Sequence, residues 1–180
     1  MKRLTLLRHA KSDWDDPVSR DFDRPLNQRG EKAAVLMGQF ARTSGMRFDA
    51  VVASPAARVM QTLETFSSGF GEPLEAHWDR RIYLAPSATL FDVIRDIPDG
   101  ADSALMAGHN PGLEELVLDM VPDDRGGGLR DEVEAKFPTA SLAVLDLAID
   151  HWADAAENTA RLISFTRPRD LDPALGPDPC

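Results

Sequence analysis

Short apolar segments alternate with amphipathic segments along most of the chain, and this alternation constrains the fold more than any other feature of the sequence. The apolar segments are brief and aliphatic, as in buried strands, and the longer segments between them carry apolar residues at helical spacing. The strands predicted in this way are Arg3–Leu7, Asp49–Ala53, Ser103–Ala107, Ser141–Leu147, Ala160–Thr166 and a short edge strand at Leu74–His77. The predicted helices are Arg29–Ser44, Ser54–Ser67, Ser87–Ile97 and Leu113–Met120.

Alternation of strands and helices predicts an α/β layered fold with a mostly parallel central sheet. The last two strands are joined by residues 150–159, which contain no predicted crossover helix, so we expect these two strands to form an antiparallel pair. A chain of 180 residues is the size of one domain. The final segment, Arg167–Cys180, contains four prolines and is predicted to be a loosely ordered tail.

The charge of the chain limits its partners. The formal net charge is −10 and the pI is about 4.8, so a diffuse negative field disfavours nucleic acid and anionic membranes as partners. The same field would repel a phosphorylated substrate, so a phosphate site needs its own cluster of arginines. The only cysteine is Cys180, which suits a reducing compartment, and no apolar stretch is long enough for a membrane span. We therefore expect a cytoplasmic, soluble protein; its oligomeric state is left open.

Histidines and arginines follow three of the predicted strands. Arg8 and His9 come after the first strand, Arg58 lies four residues beyond Ser54 after the second, and His109 follows the Ser103–Ala107 strand. Ligands of open α/β sheets bind outside the carboxyl ends of the strands, so these side chains are expected to meet at one edge.

This set of residues suits phosphoryl transfer. Arginine binds phosphate oxygens in a bidentate manner and keeps its charge, which favours Arg8 and Arg58 as phosphate ligands. A neutral imidazole is nucleophilic, so one histidine could attack phosphorus while the other donates hydrogen bonds to the developing charge. Catalysis of this kind depends mainly on positioning and electrostatics, and cationic side chains can take the place of a metal.

Three motifs carry a resemblance to a known family. Leu6-Leu7-Arg8-His9-Ala10 resembles the Arg-His signature of the histidine phosphatase superfamily, although this chain has Ala10 where the family usually has glycine. The segments at residues 54–62 and 108–110 are similar to its second and third motifs. The short chain and the segment at residues 23–30 look closest to the SixA-like phosphohistidine phosphatases.

The resemblance implies a three-layer α/β/α sandwich like that of phosphoglycerate mutase, with one antiparallel strand and a single domain at residues 1–166. It implies that His9 is the nucleophile and becomes phosphohistidine during turnover, and that no metal or other cofactor is needed. It also implies a set of residues that line the phosphate pocket: Arg8, Arg58 and His109, with Arg24 and Asn110 as additional contacts.

The family's leaving-group acid has no clear counterpart in this sequence. Glu75 and Asp79 lie in the right part of the chain but in no motif. An alkoxide leaving group needs a proton, whereas imidazole, with a pKa of about 6.5, needs less help. The absence of an acid therefore favours phosphohistidine on a partner protein as the substrate. The few residues between Arg58 and His109 also leave little material for a cap, which predicts an open site.

Other functions compete with this interpretation. A small-molecule phosphomonoesterase or a mutase of the same superfamily would use the same residues on a small phosphoester. A metal hydrolase could use two histidines with nearby aspartates, although an arginine beside His9 is a poor neighbour for a divalent cation. A non-catalytic phosphate-binding module is the alternative from a different class, and measured turnover would discriminate it.

Overall fold

A six-stranded sheet forms the centre of the computed structural model, which describes residues 1–15, 20–124 and 126–176. Its strand order is β3-β2-β4-β1-β5-β6, so the first strand of the chain lies in the interior of the sheet. The strands are β1 (Lys2–Arg8), β2 (Ala50–Ala53), β3 (His77–Trp78), β4 (Ser103–Gly108), β5 (Leu142–Leu147) and β6 (Ala160–Thr166).

The directions of the strands confirm the predicted mixed sheet. β1, β2, β3 and β4 are joined by parallel ladders. β5 pairs antiparallel with both β1 and β6, so it is the one strand that runs against the others. Parallel pairing places the carboxyl ends of β1, β2 and β4 side by side at one edge, which is where the predicted site residues lie.

Helices cover both faces of the sheet and complete the three layers. They are α1 (Gln28–Thr43), α2 (Ala57–Phe70), α3 (Ser87–Arg95), α4 (Gly112–Met120), α5 (Leu129–Ala135) and α6 (Pro168–Leu171). Successive strand residues point to opposite faces: in β4, Met106 belongs to the core under α3 and α4, whereas Leu105 and Ala107 belong to the core under α1 and α2. The alternating burial of the strands thus builds two separate cores.

Helices α1 and α2 pack with their backbones in close approach. An added Cβ at Gly38 would lie 2.1 Å from the Phe66 carbonyl oxygen, and one at Gly69 would lie 2.1 Å from that of Val35. Only glycine fits at either position, because the obstacle is backbone rather than a side chain that could move. This contact fixes α2, and with it Arg58 near its first turn, against the rest of the fold.

Besides the edge strand, which was predicted at Leu74–His77 and is found at His77–Trp78, the structure differs from the sequence-based predictions in three places. Helix α2 begins at Ala57, three residues after the predicted start at Ser54, whose buried hydroxyl accepts from the Ala56 amide and pairs with His109. Residues 129–135 form a helix that was not among the predicted ones, because the sequence before them is rich in glycine. The proline-rich end of the chain is ordered at residues 168–175, as α6 followed by a 3-10 turn; residues 177–180 lie outside the described residues.

No helix in the described parts of the chain has the length and apolarity that crossing a bilayer requires.

Candidate active site

A cleft of about 550 Å³ lies at the carboxyl ends of β1, β2 and β4. The four residues predicted at the strand ends, Arg8, His9, Arg58 and His109, all line it. Both imidazoles are buried, with ring centroids 5.5 Å apart, and Arg58 is only 2% exposed. The parallel ladders of β1 with β4 and of β4 with β2 bring these residues together from positions up to a hundred residues apart in the chain.

The His9 imidazole is held by the backbone carbonyl of the residue that follows it. Its Nδ1–H donates to the carbonyl oxygen of Ala10 at 2.7 Å, and since a carbonyl can only accept, the proton must sit on Nδ1. The other ring nitrogen, Nε2, therefore carries the free lone pair. Burial, followed by the charges of Arg8 and the other cations nearby, lowers the pKa of His9 to about 3. His9 is thus neutral at physiological pH and has an unprotonated nitrogen.

The residue after His9 is anchored to helix α2. The Ala10 amide donates to the Thr62 hydroxyl at 2.9 Å, and that hydroxyl donates to the carbonyl oxygen of Arg58 at 2.6 Å. Ala10 is fully buried, so the methyl group that replaces the family's glycine is accommodated inside the core. The chain of contacts links the segment after His9 to the backbone of Arg58.

His109 is held between Ser54 and Arg58. Arg58 Nη2 lies 3.3 Å from His109 Nδ1, and because guanidinium can only donate, Nδ1 is the acceptor. His109 Nε2–H therefore donates to Ser54 Oγ at 2.7 Å. Burial, and next the charge of Arg58, lower the pKa of His109 to about 3, so this imidazole is also neutral.

The three arginines of the site are buried or half-buried and only partly satisfied. Arg8 Nη1 donates to the Phe137 carbonyl oxygen at 2.8 Å, and Arg58 Nη1 donates to that of Asp21 at 2.6 Å. Yet the Nε–H groups of Arg8, Arg24 and Arg58 are all buried without an acceptor among the described residues. Burial lowers the pKa of Arg8 and of Arg24. Such a cluster is suited to a tetrahedral anion with several oxygens.

Asp21 forms ion pairs with two of these arginines and was not among the predicted site residues. Its carboxylate pairs with Arg58 at 3.1 Å and with Arg24 at 3.2 Å, and it accepts from the Tyr83 hydroxyl at 2.5 Å. The Tyr83 hydrogen bond and then the Arg58 charge lower the pKa of Asp21, so it is a carboxylate at neutral pH. Tyr83 also meets the His109 ring edge-on. The signal available in the sequence was the spacing of Asp21 and Arg24, three residues apart before a proline.

The two additional predicted contacts, Arg24 and Asn110, also line the cleft. Arg24 is 7% exposed, and its guanidinium stacks on the Trp14 ring at 3.4 Å. The Asn110 side chain has structural partners: its Nδ2 donates to the Phe137 carbonyl oxygen, and its Oδ1 accepts from the Glu114 amide at the start of α4. Asn110 therefore supports the same carbonyl that holds Arg8.

Neither carboxylate considered as a leaving-group acid faces the cleft. Asp79 pairs with Arg81 at 2.7 Å and accepts from its amide, and Glu75 is exposed elsewhere. Among the described residues that line the cleft, Asp21 is the only acidic one. His77 and His151 also lie outside the cleft lining.

The residues of the described ranges do not gather into a metal site. No group of three or more histidine, cysteine or acidic side chains lies close enough together to hold an ion there. The donors around His9 are guanidinium groups, which suit an anion rather than a cation.

Comparisons with known proteins show sequence similarity to one superfamily. The sequence profile of the histidine phosphatase superfamily (branch 1) matches residues 4–81. An uncharacterized protein of Mycobacterium tuberculosis is 35% identical over 164 residues, which covers 91% of this chain and all of that protein.

Two solved structures extend the similarity to the whole fold. The crystal structure of a protein from Agrobacterium tumefaciens, assigned as the phosphohistidine phosphatase SixA, is 33% identical with a TM-score of 0.78, and the match covers 93% of this chain and 98% of that one. A protein from Nakamurella multipartitia with the same assignment is 28% identical with a TM-score of 0.80, over 93% and 96% of the two chains.

Proposed function

Since the chain belongs to the histidine phosphatase superfamily, in its SixA-like branch, and is a phosphatase, we propose that it works through a phosphohistidine intermediate on His9 and needs no metal. We propose as its substrate phosphohistidine on a partner protein. The observation that carries the mechanism is the state of His9: a buried, neutral imidazole whose Nδ1–H is committed to a backbone carbonyl, which leaves Nε2 as the nucleophile.

The reaction has two steps. The lone pair of His9 Nε2 attacks phosphorus, the bond from phosphorus to the leaving nitrogen breaks, and the leaving imidazole takes its proton from solvent. Water then attacks the phosphohistidine, the P–N bond to His9 breaks, and inorganic phosphate leaves with the His9 nitrogen unprotonated again. Each step transfers one phosphoryl group without a change of oxidation state, so the reaction consumes water and needs no oxidant.

The arginines supply the electrostatic part of the mechanism. Arg8, Arg24 and Arg58 surround the histidines and carry buried donors that a phosphoryl group would satisfy. Charge that builds up on the equatorial oxygens in the transition state is stabilised by such fixed cations. His109 has both ring nitrogens committed, since its Nε2–H donates to Ser54 and its Nδ1 accepts from Arg58, so its contribution is to orient the Arg58 guanidinium toward the phosphoryl group.

The choice of phosphohistidine rests on the leaving group. The one carboxylate among the described cleft residues, Asp21, is held by Tyr83 and two arginines, and its lowered pKa makes it a poor proton donor. An imidazole leaving group tolerates this, because its own pKa is about 6.5, whereas an alkoxide does not. The SixA assignment of the two similar structures supports the same choice.

The test is hydrolysis of phosphoramidate, a small N–P donor, by chelator-treated protein. The variants are His9→Ala and, as a matched control, His77→Ala, which removes an exposed histidine outside the cleft. We expect phosphate release by wild type and by His77→Ala but not by His9→Ala, with acid-labile phosphate trapped on the wild-type protein. Equal phosphate release by His9→Ala and wild type would show that His9 is not the nucleophile. Loss of activity after chelator treatment would point to a metal. Hydrolysis of phosphoesters but not of phosphoramidate would favour the phosphomonoesterase alternative.

A further inference from the structure

The cleft has the opposite charge to the rest of the chain. The whole sequence contains 20 Lys and Arg against 30 Asp and Glu. Among the described residues that line the cleft, eight are basic and only Asp21 is acidic. The basic ones are Arg8, Lys11, Arg24, Arg29, Arg58, Lys136, Arg167 and Arg169. Forty per cent of the basic side chains of an acidic protein thus line one cleft.

One phosphoryl group accounts for only part of this cluster. Arg8, Arg24 and Arg58 are the arginines assigned to it above. The other five, which we call the outer cations, come from four separate segments of the cleft wall. The outer cations are Lys11, Arg29, Lys136, Arg167 and Arg169. A spread of this kind fits several anionic groups on an extended ligand better than one compact anion.

The C-terminal segment that carries two of the outer cations is fixed in place. Pro168 is buried, Arg167 pairs with Asp170 at 3.0 Å, and Arg29 on α1 donates to the Gly176 carbonyl oxygen. The residues of this segment therefore form an ordered wall of the cleft. Arg169 lines the cleft from this wall and forms no ion pair with a described carboxylate.

Lys136 lies on another wall and next to the catalytic machinery. It is exposed and, like Arg169, forms no ion pair with a described carboxylate. The residue after it, Phe137, offers the carbonyl oxygen that accepts from Arg8 and Asn110. An anion bound by Lys136 would thus lie beside the phosphate site without using its donors.

Exposed apolar side chains accompany these charges. Trp14 is 75% exposed and Leu84 is 53% exposed, and both line the same cleft. Exposed aromatic and aliphatic groups beside arginine are typical of surfaces that bind proteins. This observation points to a polypeptide rather than to a small molecule with a second phosphate.

We propose that two of the outer cations, Lys136 and Arg169, bind Asp and Glu side chains that flank the phosphorylated residue on the partner protein. This proposal rests on the proposed function, whose phosphohistidine it places in an acidic sequence or surface. The attraction acts within about 10 Å at ordinary salt, the distance over which charge is screened, so the net negative charge of the chain does not cancel it. The acidic flank thus serves as the specificity element of an otherwise open site.

The experiment compares two phosphohistidine peptides and phosphoramidate. One peptide has Asp and Glu on both sides of the phosphohistidine, and the other has Asn and Gln at the same positions. The test variant carries Lys136→Gln and Arg169→Gln. The matched control carries Lys32→Gln and Arg161→Gln, which remove the same charge from exposed positions outside the cleft lining.

We expect the test variant to lose roughly five- to tenfold in kcat/KM on the acidic peptide, through KM, and less on the neutral one. The loss should shrink at high salt, phosphoramidate turnover should be unchanged, and the control variant should match wild type. Equal losses on both peptides, or the same loss in the control, would overturn the proposal. The proposal would also be overturned if pyrophosphate inhibited wild type more strongly than phosphate does and the test variant lost this difference. That result would assign the outer cations to a second phosphate group. Wild-type protein that hydrolyses neither peptide nor phosphoramidate would instead refute the proposed function itself.

Discussion

Inorganic phosphate should stabilise the fold, because it would satisfy the buried arginine donors of the site. Three Nε–H groups there lack an acceptor among the described residues, and each unsatisfied buried donor costs about 1–3 kcal/mol. A ligand present at 100 times its Kd stabilises the folded state by about 2.7 kcal/mol. In a chain of this size each kcal/mol shifts Tm by about 2–4 °C. A rise in Tm of about 5–10 °C is therefore expected at that phosphate concentration.

The variant that tests the reasoning is Arg58→Lys. Lysine keeps the charge but loses the planar pair of donors, a loss of about 1.4–2.8 kcal/mol, or ten- to a hundredfold in Kd. At the same phosphate concentration the stabilisation then falls to about 0.4–1.4 kcal/mol, and the rise in Tm falls to about 1–5 °C.

Thermal unfolding followed by circular dichroism measures each shift against the same protein in NaCl of equal ionic strength, so any cost of the substitution itself cancels. Arg161→Lys, on the exposed part of β6, is the matched control and should keep the wild-type shift. The reasoning is refuted if wild type shows no shift beyond that of NaCl, or if Arg58→Lys shows the full shift. Arg24→Lys provides a second test should Arg58→Lys fail to fold.

Three further predictions concern the histidines and the helix packing. Because burial lowers the pKa of His9 to about 3, its imidazole should stay neutral from pH 7 down to pH 5. Its ring NMR signals should therefore not move over that range. A titration midpoint near 6.5 would contradict the buried geometry. Ser54→Ala leaves the buried His109 Nε2–H without its acceptor, so urea denaturation should show a loss of about 1–3 kcal/mol in the free energy of unfolding, and an unchanged value would mean that the hydrogen bond does not form. Gly69→Ala places a methyl group 2.1 Å from a backbone oxygen of α1, so it should lower the free energy of unfolding by about 1–3 kcal/mol. Ser68→Ala, on the exposed face of the same helix, should lower it much less. Similar urea midpoints for the two variants would show that the helices can separate freely.

Much of the architecture follows from local sequence pattern. The strand and helix periods predicted the α/β layering, and the missing crossover helix at residues 150–159 predicted the antiparallel pair, because chain direction is fixed by what connects two strands. The edge strand was predicted at residues 74–77 and is found at His77–Trp78. A two-residue strand leaves too little pattern to set its position.

The positions of the main site residues could also be predicted. Arg8, His9, Arg58 and His109 follow strands, and the carboxyl ends of parallel strands share one edge, so their meeting in the cleft follows from the topology. Residues held by long-range contacts were not predictable in this way. Asp21 reaches the arginines from a 3-10 turn before α1, and Tyr83 reaches Asp21 from a loop sixty-two residues away.

The sequence by itself determined the fold class and the chemical type of the site, because both depend on residue identity and on the spacing of buried positions. Only the tertiary structure decided the protonation state of His9, the tautomer of His109 and the course of residues 167–176 along the cleft wall. Burial, hydrogen-bond partners and neighbouring charges set those properties, and they come from segments far apart in the chain. The concentration of basic side chains in the cleft of an acidic protein is likewise a property of the fold, since net charge gives only the sum.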